Sequence, residues 1–560
     1  MYWRSGTKRK PDIESEGAGA FRTAWRISND VRKPPDTGSA TPHIQAMKLD
    51  PDVCYEVLRA RDARYDGLFF VCVKTTGIYC RPICPARLPR PENCTFVSSA
   101  AAAQEAGYRP CLRCRPESSP DLGAWRGASA TVSRGMALIE DGALDTGDVQ
   151  AFAERLGIGE RQLRRLFRRY IGASPVTVAQ TRRVLLARQL IHQTGLTMTE
   201  VALASGFGSV RRFNETFQRL YRRPPGELRR GSAIGAASTR PSLPGITLLL
   251  PYRPPYDWSG MLGFLGLRAI PGLELVTERS YARVIEFDAS VGSIEVTDSP
   301  GQSALRVTVR FPRLELLPRI IARIRRAFDL GADPVAISAA LARDPALAPL
   351  VAARPGLRVP GAWDGLEIAI RAVLGQQITV AAATTLAARL VATLGTGVAD
   401  RTDVPGLTHT FPSPRRIVFE AVAPLGLPRA RAATIAALAA AALADPGLFD
   451  ARQDLDDAIA RFRSLPGIGE WTAQYVAMRV LRESDAFLAA DVALQRILAI
   501  DGKRPGAREL LARAEAWRPW RAYAVLHFWT AEAGAKPASV TTTSKVSTPM
   551  GNQNVCAIPA

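Results

Sequence analysis

Hydrophobic residues change their spacing twice along this chain, and the two changes divide it. From about residue 128 to 230 they recur every three to four positions, the period of a helix with one buried face. In Glu160–Tyr170, Leu163, Leu166, Phe167 and Tyr170 fall on one side, with arginines around the rest. Val210, Phe213, Phe217 and Leu220 repeat the arrangement 50 residues later. Each helix follows a short helix and a glycine turn, Leu156-Gly157 and Gly206-Phe207, as in helix-turn-helix units. From Ile246 to Phe311 the period shortens. Ile246–Leu250, Ala282–Phe287 and Ala304–Phe311 alternate or run apolar with β-branched residues, which predicts strands. After Leu317 the chain is rich in Ala, Leu and Arg and reads as helix to Ala533.

Breaker residues supply the boundaries. Residues 1–46 are polar and interrupted by Gly and Pro, and read as a disordered extension with Met47 as a candidate start. A first unit, 47–120, closes on Pro116-Glu-Ser-Ser-Pro120, and the helical block occupies 128–230. The small-residue stretch 231–245 reads as a linker, 246–316 as a β-rich unit, 317–533 as a helical unit and 534–560 as a frayed tail. A chain of 560 residues exceeds what one core serves. Its 73 basic and 52 acidic residues leave a net charge of +21, which favours a polyanionic partner, nucleic acid first. No apolar run is long enough for a bilayer and no signal peptide opens the chain, so no membrane partner is expected and the cytoplasm, on the nucleoid, is the expected location. Of eight cysteines four are clustered, a usage that suits a reducing compartment.

Those four carry the first chemistry. Cys80-x3-Cys84 and Cys111-x2-Cys114 lie 26 residues apart, a spacing that fits one tetrahedral Zn²⁺ and by itself favours a structural role. Zinc keeps thiols deprotonated, so each sulfur stays nucleophilic if it can be reached. The surrounding residues, Thr75-Thr-Gly-Ile-Tyr-Cys-Arg-Pro82 and Gly107-Tyr-Arg-Pro-Cys-Leu-Arg-Cys114, resemble the zinc domain of the Ada methylphosphotriester repair proteins. The resemblance implies a small α/β domain in which Cys80 accepts a methyl group from DNA phosphate, Cys84, Cys111 and Cys114 complete the site, and Thr76 and Arg87 meet DNA. Methylation would take the zinc centre from doubly to singly negative. Repulsion from DNA phosphate would fall, giving a salt-dependent rise in affinity.

The helical block resembles the AraC-type DNA-binding domain, in Gly172-Ala-Ser-Pro175 and Ala202-Leu-Ala-Ser-Gly-Phe207. This implies an all-α tandem helix-turn-helix domain that reads successive major-groove segments. Arg161, Arg164, Arg165 and Arg168 are the candidate contacts of one helix, and Arg211, Arg212 and Asn214 those of the other. Gly159 stands where a Ser cap is common, a tolerated exchange. RNA polymerase is the further partner such an activator implies.

In the last unit, Leu465-Pro-Gly-Ile-Gly-Glu-Trp-Thr-Ala-Gln-Tyr475 places a Pro-Gly-x-Gly turn between helices, where exposed N–H groups can hold a phosphate. With Asp491 downstream, it resembles the helix-hairpin-helix superfamily, closest to AlkA-type 3-methyladenine glycosylases over 246–533. The implied architecture is a β-rich subdomain followed by a two-part all-α glycosylase with the cleft between its two parts. The whole chain is then a multidomain α+β protein. An N-alkylated purine is already a good leaving group, so a carboxylate that stabilises oxocarbenium character suffices, and Asp491 takes that role. Trp471 and Tyr475 share a helix face and, with Trp529 and Phe264, would stack the extruded base. Trp471 occupies the position of a Schiff-base lysine in bifunctional relatives, which implies a monofunctional hydrolase. Gly467, Gly469 and Thr472 would face the DNA backbone, and Gln377 would plug the vacated stack where an apolar wedge can stand. Val492 departs from an aromatic at its position. No Pro-Cys-His-Arg site is present, so no O6-guanine repair is expected. Two alternatives stay open: a non-enzymatic transcription factor with structural zinc, and a glycosylase that its first two domains merely recruit to DNA.

Overall fold

Asp50 accepts from the backbone N–H groups of Asp52 and Val53 and so caps the first helix, Pro51–Ala60. The computed structural model describes residues 49–120, 130–229, 245–398, 404–450, 455–499 and 502–535. The expected N-terminal extension, nearly all of the 231–245 linker, most of the tail, Met47 and Cys556 lie outside the described residues. Strands β1 (Phe70–Val73), β2 (Ile78–Cys80), β3 (Cys94–Val97) and β4 (Arg109–Pro110) form a sheet of order β3-β1-β2-β4. The parallel pairing of β2 with β4 sets Tyr79 opposite Pro110. It thereby brings Cys80 and Cys111, the next residue of each strand's course, side by side.

The two helices expected to read DNA are Glu160–Ile171 and Val210–Tyr221. Leu163, Phe167, Phe213 and Phe217 are each 0% exposed, so the predicted apolar faces are the buried ones. Helix Glu160–Ile171 starts at Gly159 with no side-chain cap, whereas Ser209 accepts from the N–H of Arg212 to cap the other. A 19-residue helix, Pro175–Gln193, joins the two units.

The β-rich unit is a sheet of order β5-β9-β8-β7-β6, made of β5 (Ile246–Pro251), β6 (Glu274–Val276), β7 (Ser280–Phe287), β8 (Ser290–Ser299) and β9 (Ala304–Arg310). All its pairings are antiparallel. Three strands match the predicted runs; β6 and β8 are additional. The Leu317–Ala327 helix, expected to open the helical enzyme, instead sets Ile320, Ile321 and Ile324 into the sheet's core. The helical unit follows, with Gly365–Leu374, Val380–Leu394, Arg429–Ala444, Leu455–Arg463, Glu470–Val476, Val492–Ile497 and Arg521–Ala535 among its helices.

The units are docked on one another. Phe217 and Tyr221 of the second helix-turn-helix unit belong to the same apolar core as Leu248 and Leu250 of β5. Strand β5 is an edge, with backbone groups that must find partners. Gln189 Nε2 donates to the Leu249 carbonyl at 2.8 Å, and the Leu249 N–H donates to Gln193 Oε1 at 2.9 Å. Arg326 pairs with Asp141 at 2.7 Å, and Arg253 donates to the Arg64 carbonyl.

Candidate functional sites: a thiol cluster and an aromatic cleft

Cys80 ends β2, Cys84 lies four residues on, and Cys111 and Cys114 follow β4. Their sulfurs all lie within 4.8 Å of one another, Cys84 and Cys111 at 4.0 Å. Four sulfurs at ordinary Zn–S length around one ion stand about 3.8 Å apart, so the cluster fits a tetrahedral Zn²⁺. Backbone N–H groups support it: Arg81 donates to Cys114 Sγ at 3.3 Å and Arg113 to Cys111 Sγ at 3.4 Å. Cys84, Cys111 and Cys114 are buried while Cys80 is partly exposed. Arg188, on the joining helix and 0% exposed, donates to the Cys111 carbonyl at 3.0 Å and pairs with Glu117 at 3.0 Å. It ties the thiol loop to the helical block. Thr76, on the β1–β2 turn, and Arg87 are exposed.

On helix Glu160–Ile171 Arg161, Arg164, Arg165 and Arg168 are all exposed, as are Arg211, Arg212 and Asn214 on helix Val210–Tyr221. Arg164 pairs with Glu160, Arg168 with Glu105 at 3.5 Å and Arg211 with Glu215 at 2.8 Å. Such exposed pairs are weak, and a phosphate can replace the carboxylate.

A cleft of about 1490 Å³ opens in the C-terminal half. Phe264, Trp471, Tyr475, Asp491 and Trp529 all line it, as do Gln377, Gly469 and Thr472. It was expected between the two helical parts, but the sheet unit walls it as well, through Phe264, Arg268, Glu274 and Tyr281. Asp491 is the N-cap of Val492–Ile497, and Oδ1 accepts from the Leu494 N–H at 2.9 Å. The Trp471 indole donates to Oδ2 at 2.9 Å and the Trp529 indole to Oδ1 at 3.1 Å. Trp471 and Tyr475 stack at 5.2 Å with 10° between their planes, and Trp529 leans on Tyr475 at 6.4 Å. No lysine lines the cleft among the described residues.

Two expected roles look different in place. Phe264 is in the cleft, but the guanidiniums of Arg268 and Arg479 stand over its ring at 3.8 and 4.8 Å, so its faces are engaged by cations. Thr472 is 2% exposed. Its hydroxyl accepts from Gln376 Nε2 at 3.2 Å, and the same amide donates to the Gly467 carbonyl at 3.2 Å; these bonds brace the hairpin from inside. Gln377 is exposed, at a left-handed φ of 59°. Gly467, Gly469 and Pro466 are exposed on the hairpin. Arg479 donates to Tyr475 Oη at 2.7 Å. Burial alone would raise the Tyr475 phenol, yet Arg479 and Arg268 outweigh it and hold the phenol below its ordinary value. No local pattern around Arg268, Arg479 or Arg188 marks them in the sequence; only long-range packing brings them to the sites.

Four family models match the chain: the metal binding domain of Ada over residues 53–117, a helix-turn-helix domain over 152–231, the AlkA N-terminal domain over 247–364, and the HhH-GPD superfamily base excision DNA repair protein over 370–522. A "Probable bifunctional transcriptional activator/DNA repair enzyme AlkA" of Mycobacterium tuberculosis is 42% identical over 86% of this chain and 97% of its own length. "DNA-3-methyladenine glycosylase 2" of Escherichia coli is 35% identical over 50% of this chain and 96% of its own. The Escherichia coli "Bifunctional transcriptional activator/DNA repair enzyme Ada" is 33% identical over 29% of this chain and 44% of its own.

Proposed function

Because this chain belongs to the family of the bifunctional transcriptional activator/DNA repair enzyme AlkA, we propose that it joins two repair chemistries to one promoter-reading switch. The observation that carries this reading is one chain holding both a four-thiol cluster with a single accessible sulfur and a carboxylate-centred aromatic cleft. Cys80, Cys84, Cys111 and Cys114 would hold Zn²⁺, which keeps the thiols ionised. Cys80 attacks the methyl carbon of a DNA methylphosphotriester; the S–C bond forms as the C–O bond breaks, and an ordinary phosphodiester leaves. The other three sulfurs are shielded by their burial. Each protein molecule reacts once.

Arg161, Arg164, Arg165, Arg168, Arg211, Arg212 and Asn214 then hold promoter DNA, and loss of one negative charge beside the phosphates strengthens that hold. RNA polymerase recruited at the promoter completes activation, and DNA contact places the protein on the nucleoid. Among the described residues no helix is long and apolar enough to cross a membrane.

In the cleft, Trp471, Tyr475 and Trp529 take an extruded, N-alkylated purine of the 3-methyladenine type, and Asp491 stands by the sugar. The two indoles and the Leu494 N–H fix that carboxylate as an acceptor. It stabilises positive charge at C1′ and guides water. Gly467 and Gly469 face the backbone, and Gln377, at the cleft mouth, fills the stack.

Mass spectrometry after mixing the protein with methylphosphotriester DNA should find one added methyl group on Cys80 and none in Cys80→Ala. Base release from 7-methylguanine DNA should vanish in Asp491→Asn while duplex binding persists. Methyl uptake by Cys80→Ala, or full release by Asp491→Asn, overturns the corresponding assignment. Equal promoter activation by wild type and Cys80→Ser after alkylation favours recruitment over sensing.

A further inference from the structure

Arg268 and Arg479 put two positive charges into the wall of a cleft proposed to receive bases that are often cationic themselves. Arg479 is 3% exposed and donates to the carbonyls of Pro360 and Gly361 and to Tyr475 Oη. Arg268 lies over Phe264, its own Nη1 bonded to the Phe264 carbonyl at 3.2 Å and its carbonyl accepting from Arg371. Tyr475 separates these cations from the carboxylate. One side of its ring stacks on Trp471, whose indole is bonded to Asp491, and its oxygen accepts from Arg479. The aromatic wall therefore carries negative charge at one end and positive charge at the other. Both indole N–H groups are spent on Asp491. Tyr475 lines the cleft and its oxygen accepts from Arg479, which leaves it an O–H that can donate.

We propose that Arg268 and Arg479 are electrostatic partners of Asp491 in base release, acting through Tyr475 and across the aromatic wall on the base rather than on the sugar. The inference rests on the excision reading above. In that reaction the bond between C1′ and the purine nitrogen breaks and its electron pair goes to the base. The oxygen of water bonds C1′, and the proton it sheds passes by way of Asp491 to solvent or to the departing base. A cationic N-alkyl purine leaves neutral; a neutral purine leaves as an anion that takes up a proton. In both cases the base gains one unit of negative charge as the sugar gains positive charge. A field that is positive at the base and negative at the sugar favours that separation whatever the charge at the start. For a cationic base the same field opposes binding, so it works on the transition state at the expense of the ground state. Arg268 and Arg479 are positioning residues in this scheme, and Tyr475 transmits their effect as a donor to the base.

Arg268 is the residue to test, because Arg479 also holds two backbone carbonyls. Single-turnover release would be measured with the full chain on duplexes carrying one 7-methylguanine or one hypoxanthine, the latter a neutral purine. Arg268→Gln should slow both by roughly tenfold or more, while affinity for the 7-methylguanine duplex stays equal or tightens. Arg268→Lys, which keeps the charge, should recover part of the rate. The thermal midpoint of the full chain and its far-UV spectrum report whether the variants are folded. An unchanged rate in Arg268→Gln, weaker binding in parallel with the lost rate, or Lys no better than Gln overturns the proposal while the excision reading stands. Absence of release by the wild type overturns both.

Discussion

Asp491 combines two roles that are ordinarily weighed against each other. It caps the Val492–Ile497 helix through the Leu494 N–H, and it holds two indole donors in the cleft. The cap orients the carboxylate; the indoles keep it from turning away. Trp529→Phe retains the ring and removes one N–H to a charged acceptor, a bond worth about 1.5–3 kcal/mol. The expected outcome is a fall of about tenfold or more in single-turnover base release with the thermal midpoint lowered by only about 2–10 °C, checked by release kinetics beside calorimetry. The carboxylate and its aromatic neighbours were legible in the sequence because Asp491 follows a recognisable hairpin and Trp471 and Tyr475 are four residues apart on a helix. The cations over Phe264 were not. Arg268 sits in an unremarkable Leu267-Arg268-Ala269, and only the approach of the Glu470–Val476 helix and the residues after it brings Arg479 beside it. The hairpin resemblance points Thr472 toward DNA; in place it is buried and its hydroxyl serves as an internal acceptor for Gln376.

At the level of elements, the hairpin shows why a glycine is required at one place and only tolerated at another. Gly467 has φ of +77°, and a β-carbon there would stand 1.9 Å from Thr434 Oγ1 on the neighbouring helix; at Gly469 nothing lies within 4 Å. Gly467→Ala should therefore destabilise the chain by about 1–3 kcal/mol and weaken duplex binding, whereas Gly469→Ala should leave stability within about 1 kcal/mol. Denaturant melts of the two variants side by side check this. The same contrast governs what could be read in advance. Helices Glu160–Ile171 and Val210–Tyr221 are legible because Leu163 and Phe167, or Phe213 and Phe217, repeat at the helical period with charge elsewhere. Strand β8, Ser-Val-Gly-Ser-Ile-Glu-Val-Thr-Asp-Ser, did not: Gly292 breaks its alternation. That glycine is there because the backbone of Arg310 passes so close that a β-carbon would lie 2.1 Å from its carbonyl oxygen. The Leu317–Ala327 helix is legible as helix, but its packing on the sheet, across the boundary expected at residue 316, is not, since periodicity reveals which face is apolar and says nothing of what covers it.

For the whole molecule, acid is the expected weakness. Burial presses the imidazoles of His192 and His527 from 6.5 down to about 4. As pH falls below 6.5 the unfolded chain takes up protons that the folded one refuses. Stability is therefore complete above that value and is lost as pH falls toward 4. Protons also compete with zinc for the four thiols, in the same direction. Thermal midpoints should fall steadily from pH 7 to pH 5, with a shallower slope in His527→Asn; a flat profile would refute the assignment. The docking of the helical block on β5 has a different kind of consequence. Gln189 and Gln193 stand in for a neighbouring strand at Leu249, and an apolar core continues across the junction. The peptide between residues 231 and 244 is then not what joins the sensing half to the excising half. A protease site engineered there should yield two fragments that still elute together, separate only in denaturant, and reassemble when mixed. The fusion, in that sense, is a complex whose subunits happen to be translated in one piece.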